Sequence, residues 1–211
     1  MKKFVEFGGV AAGIILVAFG AAAIILGVNG KSTVNSSLRE QQIVGTPDMT
    51  PAGIKAEAQA ANLPGTIKLP TCSVAGKAVN NGDRARCFAD YMRIHSYLAT
   101  GGVPYAKMPQ YETANGKGTN DASQALKSNG QPVANAARNV WVTETALSTA
   151  LNMSYMASQL GNFGIVVGIA LLLSGIGFLI LALSGALRAG SWFHGRHAVK
   201  NAAKKAAPAG V

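Results

Sequence analysis

Two cysteines, three histidines and nine carboxylates are the side chains here that could do nucleophilic, metal or acid–base chemistry. Cys72 and Cys87 are the only thiols, and no histidine lies near them at a zinc-ligand spacing. An even count in an oxidising compartment predicts a structural disulfide, with two buried free thiols or an oxidation-prone pair as the alternatives. Such a bridge would stabilise by about 3 kcal/mol in the chain-entropy model. His95 lies on a helical stretch beside Tyr91, Met92, Leu98 and Ala99, and Asp90, five residues back, points elsewhere. With no carboxylate on its local face, it reads as a half-buried packing histidine. His194 and His197 are three apart in a basic tail and read as solvated or headgroup-contacting. Asp83 and Asp90 lie seven apart on one helix, Glu112 and Asp121 sit in a loop, and Arg86 precedes Asp90 by one turn as an ion-pair partner. Nothing selects a catalytic carboxylate pair. Gly-x-Ser-x-Gly, Walker, His-Glu-x-x-His and dinucleotide patterns are all missing. The sequence therefore predicts no catalytic, cofactor-binding or metal-binding residue, and a protein that is not an enzyme.

The elements that must position these residues are set by two uncharged apolar runs. Residues 7–28 and 161–187 contain no ionisable side chain, and each exceeds the roughly 20 residues that a helix needs to cross a hydrocarbon core. The reading is an all-α protein with two transmembrane helices. Residues 1–6 form a cytoplasmic N-terminus, 7–28 the first span and 29–160 an extracytoplasmic helical domain. Residues 161–187 form the second span and 188–211 a basic cytoplasmic tail. The formal charge of +10 is concentrated at the ends: seven basic residues against Glu6 alone outside the spans, compared with twelve basic and eight acidic residues between them. Lys and Arg next to spans mark the cytoplasmic side, so both termini are expected inside and the central segment outside. Basic residues interleaved with aromatics on one domain face are missing, which argues against a nucleic-acid partner. A cleaved signal peptide is the competing reading of the first run. That run is longer than a usual apolar signal core, and Ala21 to Ala23 lie inside it, so a retained anchor is expected.

No ionisable group interrupts either span, which argues against a proton pump or coupled transporter. Gly9 with Gly13, and Gly164 with Gly168, offer four-residue small-residue spacing for close helix packing, either between the two spans or in an oligomer. In the tail, Arg188, Trp192, Arg196, Lys200, Lys204 and Lys205 suit an interfacial anchor and attraction to anionic headgroups, at about 1 kcal/mol per basic residue.

Between the spans, Val34 and Leu38 predict that the first helix runs on until Gly45-Thr46-Pro47. Thr50-Pro51 predicts an N-cap with proline at the first position of a helix reaching Ala61. Residues 66–75 read as extended, and residues 83–99 as a helix capped by Asp83 and stopped by Thr100-Gly101-Gly102. Its partly apolar stripe is Phe88, Tyr91, His95 and Leu98. Residues 104–130 read as an exposed loop. A last helix is expected from Gln131, with Val133, Val140 and Leu147 alternating with Ala137, Glu144 and Leu151, running unbroken into the second span. Short of large hydrophobes, the external segment is expected to lack a deep core.

The runs Ile43-Val44-Gly45-Thr46-Pro47-Asp48-Met49-Thr50-Pro51, Val74-Ala75-Gly76-Lys77, Cys87-Phe88-Ala89-Asp90-Tyr91-Met92-Arg93-Ile94-His95 and Thr100-Gly101-Gly102-Val103-Pro104-Tyr105-Ala106 carry a resemblance. Together with the spans, they resemble small two-span membrane proteins of actinobacteria and related high-GC bacteria, whose motifs are tied to no known chemistry. The resemblance covers residues 5–187. Some such proteins carry an automatic label as aromatic-ring-opening dioxygenases. A facial-triad iron site wants two histidines and a carboxylate, whereas only His95 lies between the spans here. The expected function is a structural or accessory subunit of a cell-envelope assembly, packed against other membrane proteins or its own copies in an anionic bilayer. An envelope sensor or binding module, and an oligomeric channel component, are the alternatives.

Overall fold

The computed structural model describes residues 2–184, with side chains from residue 7 onward. The tail residues Arg188, Trp192, Arg196, Lys200, Lys204 and Lys205, and the final residues of the second apolar run, lie outside the described residues. The elements in order are α1 (Lys2–Glu40), α2 (Pro51–Ala60), α3 (Gly82–Ala99), a 3-10 turn (Tyr105–Lys107), β1 (Lys127–Ser128), β2 (Gln131–Pro132) and α4 (Ala137–Leu183). The chain divides into two compact units, one of Met1–Asn29 with Gly161–Val211 and one of Gly30–Leu160.

In the first unit, α1 and α4 supply two helices long and apolar enough to cross a membrane. Only 11% and 17% of their most apolar windows is buried, so their apolar side chains face outward, unlike those of a soluble core helix. Phe7, Phe19, Leu26, Phe163, Leu173 and Leu183 are all at least two-thirds exposed. What the helices bury against each other is glycine. A Cβ at Gly13 would stand 3.0 Å from the Gly175 carbonyl oxygen, and one at Gly20 would stand 2.7 Å from that of Gly168. A Cβ at Gly27 would stand 2.6 Å from the carbonyl oxygen of Gly161. Gly13, Gly20 and Gly27 on α1 thus meet Gly175, Gly168 and Gly161 on α4 in antiparallel order, each set repeating every seven residues. A seven-residue repeat keeps one seam facing its partner in a left-handed supercoil.

The second unit has a compact core. Ile54, Tyr91 and Ile94 are fully buried, and Val74 and Val79 are 1% exposed. The expectation of no deep core is corrected here: loop residues Met49, Val74 and Val79 supply apolar volume that the helix patterns alone do not reveal. Thr50 caps α2, its Oγ1 accepting from Gly53 N at 3.0 Å, with Pro51 at the first position. α3 is capped by Asn81 rather than Asp83: Asn81 Oδ1 accepts from Arg84 N at 3.0 Å, and Asp83 falls inside the first turn. Residues 66–75 form no strand; the chain there contributes only an isolated bridge between Gly45 and Ala75.

Two further expectations change. Residues 104–130 are organised rather than simply looped: Tyr111 bridges both Thr119 and Ala134, and β1 pairs antiparallel with β2. The last helix begins at Ala137, because Gln131-Pro132 belongs to β2 and Asn135 Oδ1 accepts from Ala137 N at 3.1 Å to start the helix. Within the second unit, the inward face of this helix is Trp141, Glu144, Ser148, Leu151, Tyr155 and Ser158, while Val140 and Leu147 flank it half-buried. Glu144 sits buried on that inward face, accepting from Ser148 Oγ at 2.6 Å.

Candidate functional site

Three side chains remote in sequence converge beside α3. His95 follows the fully buried Tyr91 by one turn, and Ile94 beside it anchors the helix in the core. Asp48 is held by its neighbour Met49, which is 2% exposed and whose carbonyl accepts from Val74 N and Ala75 N at 3.2 Å. The Asp48 carbonyl accepts from Thr50 N at 2.6 Å. Gly53 lets the first turn of α2 close against that carbonyl, since a Cβ there would run into it. Ile54 then buries α2 against the core, and Glu57, one turn on, presents its carboxylate toward α3.

The outcome is His95 Nε2 at 3.0 Å from Asp48 Oδ2 and at 3.8 Å from Glu57 Oε2. One donor atom from each of Asp48, Glu57 and His95 lies within 4.8 Å of the others. All three side chains are about one-third exposed, so the cluster opens to solvent. A hydrogen bond from the Thr46 side chain is the main reason that Asp48 titrates below its ordinary value, with a contribution from His95 and opposition from partial burial. Tyr91 is pushed up by burial and then by the Asp48 charge, and its hydroxyl donates to the Cys72 carbonyl at 2.6 Å. The cluster is thereby tied to the Cys72–Cys87 disulfide, which is formed.

His95 is half-buried as expected, but it does not lack a carboxylate partner: neither Asp83 nor Asp90 on its own helix pairs with it, while the turn at Asp48 and α2 each deliver one. No spacing rule could have found the set, because its members are 9 and 38 residues apart along the chain and meet only after α2 docks on α3. The other candidates have local duties. Asp83 Oδ1 accepts from Gln159 Nε2 at 3.4 Å, and Glu112 Oε1 accepts from Ala136 N at 3.5 Å. Asp121 is an exposed turn former, accepting from Ser123 N and Oγ, and these bonds hold its carboxyl below the ordinary value. Arg86, expected to pair with Asp90, lies over the Tyr155 ring at 4.7 Å. Asp90 instead joins Lys68, Arg86 and Arg93 in lining a polar cleft of about 300 Å³.

Of the four glycines singled out in the apolar runs, Gly13 and Gly168 sit where an added Cβ would clash with the other helix, a Cβ at Gly164 would meet the Ala23 carbonyl only at ordinary contact distance, and Gly9 is half-buried. The sequence reasoning missed Gly20, Gly27, Gly161 and Gly175, for which seven-residue spacing was the available signal.

Two other surfaces of the second unit stand out. A cleft of about 340 Å³ is lined by Thr100, Met108, Glu112, Thr113 and Asn135 among others. On α4, Val142, Ala146, Thr149, Met153 and Met156 recur at alternating four- and three-residue steps and are all exposed. Comparison of the chain with protein-family models, curated proteins and solved structures returned no match.

Proposed function

We propose that this chain is a non-enzymatic accessory subunit of a bacterial plasma-membrane assembly, with both termini cytoplasmic and Gly30–Leu160 outside. The observation that carries the reading is the uncovered apolar stripe on α4. Val142, Met153 and Met156 are 55%, 57% and 56% exposed. They lie outside the glycine-packed unit, on a helix whose opposite face is already used by Trp141, Leu151 and Tyr155. A stripe at heptad spacing, free of charge, is the surface that another helix covers. The basic excess at the termini supports the orientation, and the disulfide suits an oxidising exterior. Lateral packing against a second membrane protein uses both features without requiring a catalytic group.

The test is isolation from the native membrane in mild detergent. A partner set at fixed stoichiometry is expected, lost in the Val142→Glu, Met153→Glu double variant while the unfolding temperature stays within a few degrees of wild type. A homogeneous assembly of this chain alone would overturn the accessory-subunit reading.

A further inference from the structure

We propose that Asp48, Glu57 and His95 form an extracytoplasmic site for a divalent transition-metal ion of the Zn²⁺ or Mn²⁺ class. The donor set is one imidazole nitrogen and two carboxylate oxygens drawn from three separate elements. Imidazole suits Zn²⁺ and its first-row neighbours, and carboxylates are compatible with both Zn²⁺ and Mn²⁺. Ligands held 2.0–2.2 Å from a tetrahedral zinc ion lie about 3.4 Å from one another. The two pairs that involve His95, at 3.0 Å and 3.8 Å, bracket that separation, and the two carboxylates lie within 4.8 Å of each other, so side-chain rotation alone can draw the three donors onto one ion.

Charge points the same way. Two carboxylates converge on one imidazole, and only Asp48 Oδ2 lies within hydrogen-bond distance of Nε2; Glu57 stands beyond it. With a neutral imidazole the set carries two negative charges, which a divalent cation balances and a single imidazolium does not. Tyr91 is spoken for, because its hydroxyl donates to the Cys72 carbonyl, so three protein ligands remain and water takes the open positions. The partial exposure of all three side chains provides the entry path. Bound there, the ion would join the Asp48 turn and the ten-residue α2 to α3, so occupancy and the order of that corner rise together.

The experiment uses the full-length, disulfide-intact protein in detergent, stripped with chelator and titrated separately with Zn²⁺, Mn²⁺ and Mg²⁺. His194→Ala and His197→Ala are introduced in every sample so that the tail cannot bind. One Zn²⁺ or Mn²⁺ per chain is expected, with a raised unfolding temperature and a clear preference over Mg²⁺. His95→Gln should abolish binding, and Glu57→Gln and Asp48→Asn should each weaken it at least about tenfold, ligand loss costing no less than loss of an outer partner. Glu57→Gln, the most exposed of the three changes, keeps the test valid if another variant misfolds. No saturable binding, or binding unaltered by Glu57→Gln and His95→Gln in folded protein, would overturn the site and leave a simple ion pair.

Discussion

The two units of this chain solve the same problem, holding helices together, by opposite means. Between the spans the seam is built from what is missing: Gly13, Gly20 and Gly27 present bare backbone to Gly175, Gly168 and Gly161. In lipid there is no hydrophobic drive to bring apolar helices together, so close backbone approach and dispersion contacts must do it. In the second unit the contact is built from what is present: Tyr91, Ile54, Ile94 and Val74 fill the interior, and a covalent bridge joins the loop at Cys72 to α3 at Cys87. There water supplies the drive, and the small size of the core makes the crosslink valuable. The same contrast governs polar groups. The second unit buries polar groups and gives most of them partners, as Ser148 does for Glu144 (Ser158 Oγ is the exception among the described residues), whereas both apolar runs carry no ionisable side chain at all.

The strongest way to break this contrast is to remove the bridge. Cys72→Ser should destabilise the second unit by about 3 kcal/mol, the value for closing a loop of this length, and leave the packing of the two apolar helices intact. Thermal unfolding of oxidised wild type and variant in detergent measures it; equal unfolding temperatures would remove the disulfide from the account. Gly168→Ile probes the other unit. Its new Cβ would stand 2.6 Å from Ile24 Cγ1 and 2.7 Å from the Gly20 carbonyl, and backbone cannot step aside. A loss of about 1–3 kcal/mol is expected from overpacking, read as weakened crosslinking between cysteines placed on the two spans. Unchanged crosslinking would show that the seam tolerates volume and is not a glycine contact.

Tyr91→Phe tests whether the core of the second unit depends on satisfied polar atoms as well as on volume. It leaves the Cys72 carbonyl without its 2.6 Å donor while the ring stays packed, and should cost about 1 kcal/mol. Asn81→Ala should cost a similar amount, about 1 kcal/mol, and Asp83→Asn much less, since Asn81 and not Asp83 caps α3. Chemical denaturation of the three variants side by side ranks them, and a larger loss in Asp83→Asn would reverse the cap assignment.

These residues also mark where the sequence was legible. Two cysteines and two uncharged runs leave few alternatives, and both the bridge and the two long apolar helices are present. Thr50-Pro51 carries its cap in its own chemistry. Legibility fails where two local signals compete or where partners are remote. Asn80, Asn81 and Asp83 can all cap a helix, and only the backbone path selects Asn81. Glycines four apart advertise a packing face, yet the antiparallel pairing selects those seven apart. Pro132 looks like a helix start until Gln131 is seen pairing with Ser128. The Asp48–Glu57–His95 cluster has no local signal at all, because it exists only once α2 lies on α3.

The smallest effect distinguishes the cluster's contribution from that of the core around it. Asp48 titrates below its ordinary value of 3.8 in the folded protein, chiefly through the Thr46 hydrogen bond. A depressed folded-state pKa means that the unfolded chain binds its proton first. The stabilisation is therefore fully present above the unfolded value near 4 and is lost as pH falls through the lower folded value. Partial exposure keeps the effect modest. Wild-type stability should fall toward that of Asp48→Asn as pH drops from 5 to 3, with the gap between them closing, and the span contact probed by Gly168→Ile should be indifferent over the same range. A gap that persists unchanged to pH 3 would mean that Asp48 stabilises the turn through its shape and backbone, as Met49 does, rather than through its charge.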